Sequence, residues 1–151
     1  MIQLLRGFTS VGYVGLIPGA PGTYGSLVTL PIAYYWSTLV TSDPFLTAGF
    51  IVIISALSIY AINRVSDHLG KEDPGEVVID ELVGQWIAVL AIPGHWGYWL
   101  AAFILFRIFD IWKPWIIDRS QQLPGGIGVM VDDILAGLLA LVIIQAAFAV
   151  L

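Results

Sequence analysis

Residues 106–137 read FRIFDIWKPWIIDRSQQLPGGIGVMVDDILAG. Arg107, Asp110, Lys113, Asp118, Arg119, Asp132 and Asp133 all fall in this stretch, seven of the chain's seventeen charged residues, between two segments that are almost wholly apolar. A soluble domain spreads its charges over a surface. Here acids and bases are gathered beside Gly, Pro and Trp in a chain otherwise starved of charge, which marks a site.

The surrounding composition says what kind of protein holds that site. The apolar fraction of 58% and mean hydropathy of +0.89 lie above the roughly 45–50% apolar content of soluble domains, so water is not expected to be the only solvent. A length of 151 residues suits one domain spanning 1–151. Net charge is −5 and the six basic residues are scattered, which excludes a nucleic-acid grip. The absence of cysteine excludes disulfides, thiolate metal sites and a cysteine nucleophile. Arg6 is followed by Gly, Ser, Thr and Pro instead of a clean apolar core, so no cleavable signal peptide is expected and the N-terminus is retained.

Working back along the chain, IPGAPGTYGSL (17–27) is predicted as a glycine-rich turn entering a helix, with Thr23 or Ser26 capping its first amides. Such a start attracts anions, although a turn that needs Gly and Pro accounts for the same residues. No Gly-Lys-Ser/Thr follows, so this is not a nucleotide loop. Residues 27–42 and 45–62 are predicted as apolar helices suited to a membrane hairpin, the second about 27 Å long. Asp73-Pro74-Gly75-Glu76 predicts a helix from about residue 74, with Glu76 and Asp80 on one face and Gly84 leaving room for a close approach one turn on. Residues 82–106 are divided by Pro93–Gly97 into arms of about 16 Å, either tilted and extended or buried as core helices. Residues 134–151 are predicted as the last apolar helix. Asp80-Glu81 and Asp132-Asp133 then each stand at the mouth of an apolar helix, with a small residue four after the first acid.

Pairing the apolar segments as hairpins puts all six Lys and Arg on one side, with only Asp43 and His95 opposite. The positive-inside rule makes the basic side cytoplasmic. The fold expected is an all-α, multihelical, membrane-embedded bundle with several short or broken helices. A soluble helical bundle is the competing reading, since several segments lack a clean nineteen-residue window.

The chemistry follows from what the site contains. Carboxylates converging on a few bases, without Cys and with only His68 and His95, point to a hard cation such as Mg²⁺, which takes one or two carboxylates plus substrate phosphate. Paired acids repel unless a divalent ion removes the cost. The plain alternative is that Asp80, Glu81, Asp132 and Asp133 are helix N-terminal acids favoured by the dipole. Arg107 and Lys113 are the phosphate contacts, with Asp110 on the same face, or else these three make ordinary i,i+3 ion pairs. His68 and His95 read as polar boundary residues, and Trp112 and Trp115 as interface anchors. The parts fit phosphate-ester hydrolysis by metal-activated water, because no Cys, His-centred or Asp-x-Asp nucleophile motif is present.

Four stretches together resemble one family: PGTYGSL (21–27), VIDELVG (78–84), FRIFDIWKP (106–114) and GGIGVMVDDILAG (125–137). In order and spacing they are similar to bacterial phosphatidylglycerophosphatase A, over roughly residues 15–137. The resemblance implies an all-helical, Mg²⁺-dependent enzyme of the bacterial inner membrane. Such an enzyme removes the terminal phosphate of the phospholipid phosphatidylglycerophosphate, giving phosphatidylglycerol and inorganic phosphate on the cytoplasmic side. The matching polar positions are Thr23, Ser26, Asp67, Asp80, Glu81, Arg107, Asp110, Lys113, Asp118, Asp132 and Asp133. Some relatives are soluble helical proteins, which leaves the number of spans open.

The roles expected are these. Asp80, Glu81, Asp132 and Asp133 hold Mg²⁺. Asp110 helps hold metal or orients Lys113, and Lys113 with Arg107 binds phosphate. Catalysis is assigned to Asp80, Glu81, Asp110, Lys113 and Asp133, and the Thr23–Ser26 loop cradles the headgroup. Asp67, Asp118 and Glu76 are secondary candidates, Glu76 at a position that varies in the family. Two competitors remain: a non-catalytic membrane protein whose acids line an ion or solute path, and a phosphatase of water-soluble monoesters.

Overall fold

The computed structural model describes residues 1–92 and 95–150. Pro93 and Gly94, part of the expected break between the two arms, lie outside the described residues. The described residues form seven α-helices: α1 (Ile2–Thr9), α2 (Pro21–Leu39), α3 (Pro44–Leu69), α4 (Ile79–Ala88), α5 (Trp96–Trp112), α6 (Ile116–Ser120) and α7 (Gly126–Val150). No strand occurs among the described residues. The all-α expectation holds.

Local chemistry sets most helix ends. Asp43 caps α3 by accepting from the amides of Phe45 (2.7 Å) and Leu46, Pro44 occupies the first turn, and Gly70 at φ 64° ends the helix in the left-handed region. α5 ends at Lys113, itself left-handed at φ 49°, because Pro114 cannot continue the ladder.

α3 runs on past the expected end at 62 to Leu69, and three expected helix starts move. α2 begins at Pro21, with no side-chain cap, and Ser26 lies inside it, donating back to the Gly22 carbonyl at 2.8 Å. α4 begins at Ile79, not near 74. The Val77 amide closes a turn on the Pro74 carbonyl and the Val78 amide reaches the Thr9 carbonyl of α1, so tertiary hydrogen bonds hold this segment out of the helix. Glu76 therefore shares no helix face with Asp80. α7 begins at Gly126, where the Asn63 side chain accepts the Gly126 amide at 2.7 Å, and Asp132-Asp133 lie within the helix instead of at its mouth.

α4 is the centre of the bundle. Nine of its ten residues are buried, Glu81 being the partial exception, which resolves the short first arm as a core helix. α4 and α7 run side by side in the same sense. Gly84 meets the Asp133 carbonyl and the Phe106 ring, Gly137 meets the Gly84 backbone, and the Gln145 side chain donates to the Ala91 carbonyl further on. A Cβ on Gly84 would sit 2.6 Å from that Asp133 oxygen, so only glycine allows the crossing.

α3 and α7 are long and apolar enough to cross a membrane, over Pro44–Leu69 and Gly126–Ala149. Their outer faces expose Val52, Ile53, Leu57 and Val142. The starts of α2, α4 and α7 and the ends of α3 and α5 meet at one end of the bundle. Arg6–Glu76, Lys113–Asp132 and the Gly126–Asn63 contact all belong to that end.

Candidate active site

At that end lies a cavity of about 360 Å³, walled by the start of α2, the loop before α4, the α4 acids, the end of α5 and α7. Asp80 and Glu81 come from the first turn of α4, and Asp133 crosses to them from α7. Their ligand oxygens lie within 4.8 Å of one another. Asp80 and Asp133 are 7% and 2% exposed. Burial, and then the charge of Glu81, push the Asp80 carboxyl well above the ordinary carboxylate range, and burial also raises Glu81.

Asp80 Oδ1, Glu81 Oε2 and Asp133 Oδ2 are buried without a hydrogen-bond partner. Three carboxylates this close, two of them buried and Glu81 partly so, cannot all ionise cheaply, and their free oxygens form an all-oxygen donor set. A hard divalent cation fits that set, since it would satisfy the orphaned oxygens and cancel the repulsion.

Around the triangle stand the bases. Lys113 Nζ lies 2.6 Å from Asp132 Oδ2, and Gln121 Nε2 donates to the same oxygen at 2.9 Å. Asp132 Oδ1 accepts the Asp133 amide. Both Asp132 oxygens are thus occupied, and among the four expected ligands the structure groups three and ties the fourth to Lys113. Burial alone would lower the Lys113 ammonium, but the hydrogen bond and charge of Asp132 outweigh it and the pKa is raised. Arg107 Nη1 pairs with Asp110 Oδ2, as expected for i,i+3, and sits 3.5 Å from Ser26 Oγ. Asp110 lines the cavity, with Arg107 behind it.

The remaining candidates are placed elsewhere. Ser26 is fully buried under Arg107, and Thr23 faces an apolar groove on α5. Glu76 accepts from Arg6 Nε and Nη2 at 2.7 and 2.8 Å. Asp67 lines a separate recess with Arg64 and His68, and Asp118 is exposed on α6. The cavity residues that escaped the sequence reading include Asp73, Gln121 and Gly22. Asp73 was hidden by its resemblance to a helix cap. Gly22 stands where a Cβ would overlap Glu81 Oε1 and come 3.3 Å from Arg107 Nη1. Gln121 carries no local signal, since its role exists only across α6 and α7.

The sequence model described as Phosphatidylglycerophosphatase A matches residues 7–148, nearly the whole chain. The chain belongs to the phosphatidylglycerophosphatase A family. Two members of that name, from Escherichia coli K12 and Haemophilus influenzae, are each 39% identical to it. The first alignment spans 83% of this chain and 73% of its relative, and the second 87% and 81%. A Bacteroides thetaiotaomicron protein named "Putative phosphatidylinositol-3-phosphatase" is 43% identical, over 88% of this chain and 86% of its own. No solved structure matches the chain. Membership of the phosphatidylglycerophosphatase A family makes the chain a phosphoric monoester hydrolase and sets aside the non-catalytic carrier.

Proposed function

We propose that this chain is a Mg²⁺-dependent lipid phosphatase. It hydrolyses phosphatidylglycerophosphate to phosphatidylglycerol and inorganic phosphate at the cytoplasmic face of the inner membrane. The observation that carries this reading is the triangle of Asp80, Glu81 and Asp133, its free oxygens facing a cavity that Lys113 also lines.

Asp80, Glu81 and Asp133 would hold the ion. When bound, Mg²⁺ supplies charge neutralisation, polarisation of a phosphoryl oxygen and a more acidic water. The chain's own groups do the rest. Lys113, fixed by Asp132 and Gln121, presents a positive charge to the phosphate and offsets the charge that builds as the ester bond breaks. Arg107 holds Asp110 at the cavity wall, so Asp110 is oriented to accept a proton from the attacking water. The phosphate monoester loses its P–O bond to the glycerol headgroup, the headgroup oxygen takes a proton, and phosphate leaves with the water's oxygen. All six Lys and Arg belong to elements of the site end, which by the positive-inside rule supports placing that end in the cytoplasm.

The Bacteroides relative favours a second reading, a phosphatidylinositol 3-phosphate substrate, because it too is a phosphomonoester on a lipid-borne polyol. Phosphate release from both lipids, with Mg²⁺ and with EDTA, separates them. Release from phosphatidylglycerophosphate that EDTA abolishes and Mg²⁺ restores is expected. Turnover undiminished in EDTA would end the metal assignment, and preference for the inositol lipid would replace the substrate.

A further inference from the structure

Beside the acidic cavity, α5 carries a second recess. An open groove of about 460 Å³ is walled by Ile104, Ile108, Ile111 and Trp112, with Thr23 and Arg107 as its polar lining residues. Two chain features join it to the cavity. Gly22 lines the cavity and the next residue, Thr23, lines the groove. Arg107 lines the groove while its Nη1 grips Asp110 of the cavity wall.

The groove opens onto an apolar surface. Leu100, Ile104, Ile108 and Ile111, spaced four, four and three, form one exposed stripe of α5. Trp115 and Ile116 follow at 92% and 66% exposure. An apolar patch of this extent marks a contact with lipid or protein. The neighbouring site decides between them: a ligand with an anionic head and an apolar tail can fill cavity and groove at once, with Arg107 at the junction. Arg107 Nε, buried and without a hydrogen-bond partner, leaves a donor there that an ester or phosphodiester oxygen would satisfy. The larger recess between α1, α2 and α3, lined by Phe8, Trp36, Phe50 and Ile54, offers no charged residue to anchor a head.

We infer that the α5 groove is the acyl-chain subsite of the enzyme: it seats the glycerol backbone and one acyl chain of the lipid whose phosphate enters the acidic cavity. This rests on the lipid-phosphatase reading. It adds that α5 selects for the apolar tail, independently of the chemistry at the phosphate.

The test compares long-chain and short-chain substrates on the full chain in detergent with Mg²⁺. For dioleoyl over dihexanoyl phosphatidylglycerophosphate, Ile108→Asn and Ile104→Trp should each lower the ratio of kcat/KM values at least about tenfold, the scale of a spoiled apolar pocket. Val52→Asn on the outer face of α3 should leave the ratio unchanged. Equal losses on both substrates, or none, would overturn the subsite. A dioleoyl-type analogue with a diazirine in one acyl chain gives a second reading that needs no turnover. Its label should map to residues 103–112 and be displaced by unlabelled lipid phosphate. Label on the α1–α3 recess, or spread over the spans without displacement, would overturn the groove. Label in the groove without phosphate release would instead overturn the substrate assignment alone.

Discussion

Lys113 Nζ and Asp132 Oδ2 lie 2.6 Å apart, and this bond splits an acidic doublet whose two members do different things. Asp133 turns toward Asp80 and Glu81, and Asp132 toward the ammonium and Gln121. Asp133→Asn should raise the half-activating Mg²⁺ concentration about 100-fold or more. Asp132→Asn should raise it no more than about tenfold while weakening substrate binding, as expected of a group that orients another. Mg²⁺ titrations of phosphate release read both.

Lys113 is also a backbone position. At φ 49° a side chain is strained by about 1 kcal/mol relative to glycine. Lys113→Gly and Lys113→Ala should both lose activity about 10²- to 10³-fold, as for removal of one charge-stabilising donor. The glycine variant should be the more stable of the two by about 1 kcal/mol in thermal or denaturant unfolding. Equal stability would remove the strain.

Gly22 touches no substrate in this scheme, yet its missing Cβ is space that Glu81 occupies. Gly22→Ala should displace the Glu81 carboxylate and lower kcat about 10²-fold, the usual cost of a small misplacement at a reacting centre. Gly49→Ala, in an exposed helix position with nothing within 4 Å, should leave kcat unchanged.

Arg6 and Glu76 tie α1 to the loop that walls the cavity. The Arg6 hydrogen bond holds the Glu76 carboxyl below its ordinary value of 4.5. A carboxylate with a lowered folded pKa stabilises the fold above its unfolded value, and that contribution is lost as pH falls through the lower, folded one. Glu76→Gln should therefore unfold about 2 to 4 °C below the parent at pH 7. The gap should close as the pH drops below 4.5. Thermal melts at the two pH values read it.

Much of this was legible before any coordinates. The apolar segment expected over 45–62 lies within α3, and the doublets at 80–81 and 132–133 both line the cavity. Local patterns misled where tertiary bonds overrode them. Asp73-Pro74-Gly75-Glu76 has every feature of a helix start, but Val78 bonds to Thr9 and Glu76 to Arg6, so the helix waits until Ile79. The last helix is expected from residue 134, yet Asn63 accepts the Gly126 amide and α7 begins there, among its glycines. Gln121 and Thr23 take their places only across helices far apart in sequence, which no local spacing encodes.

The contact between Gly84 and Gly137 sets the gauge of the carboxylate triangle. With backbone resting on backbone one turn from the acids, the gap between Asp80 and Asp133 is fixed by the thickness of two bare helices. No surface loop adjusts it. The triangle is consequently as stiff as the bundle's centre, and even one methyl group at either glycine would force the carboxylates apart like a shim.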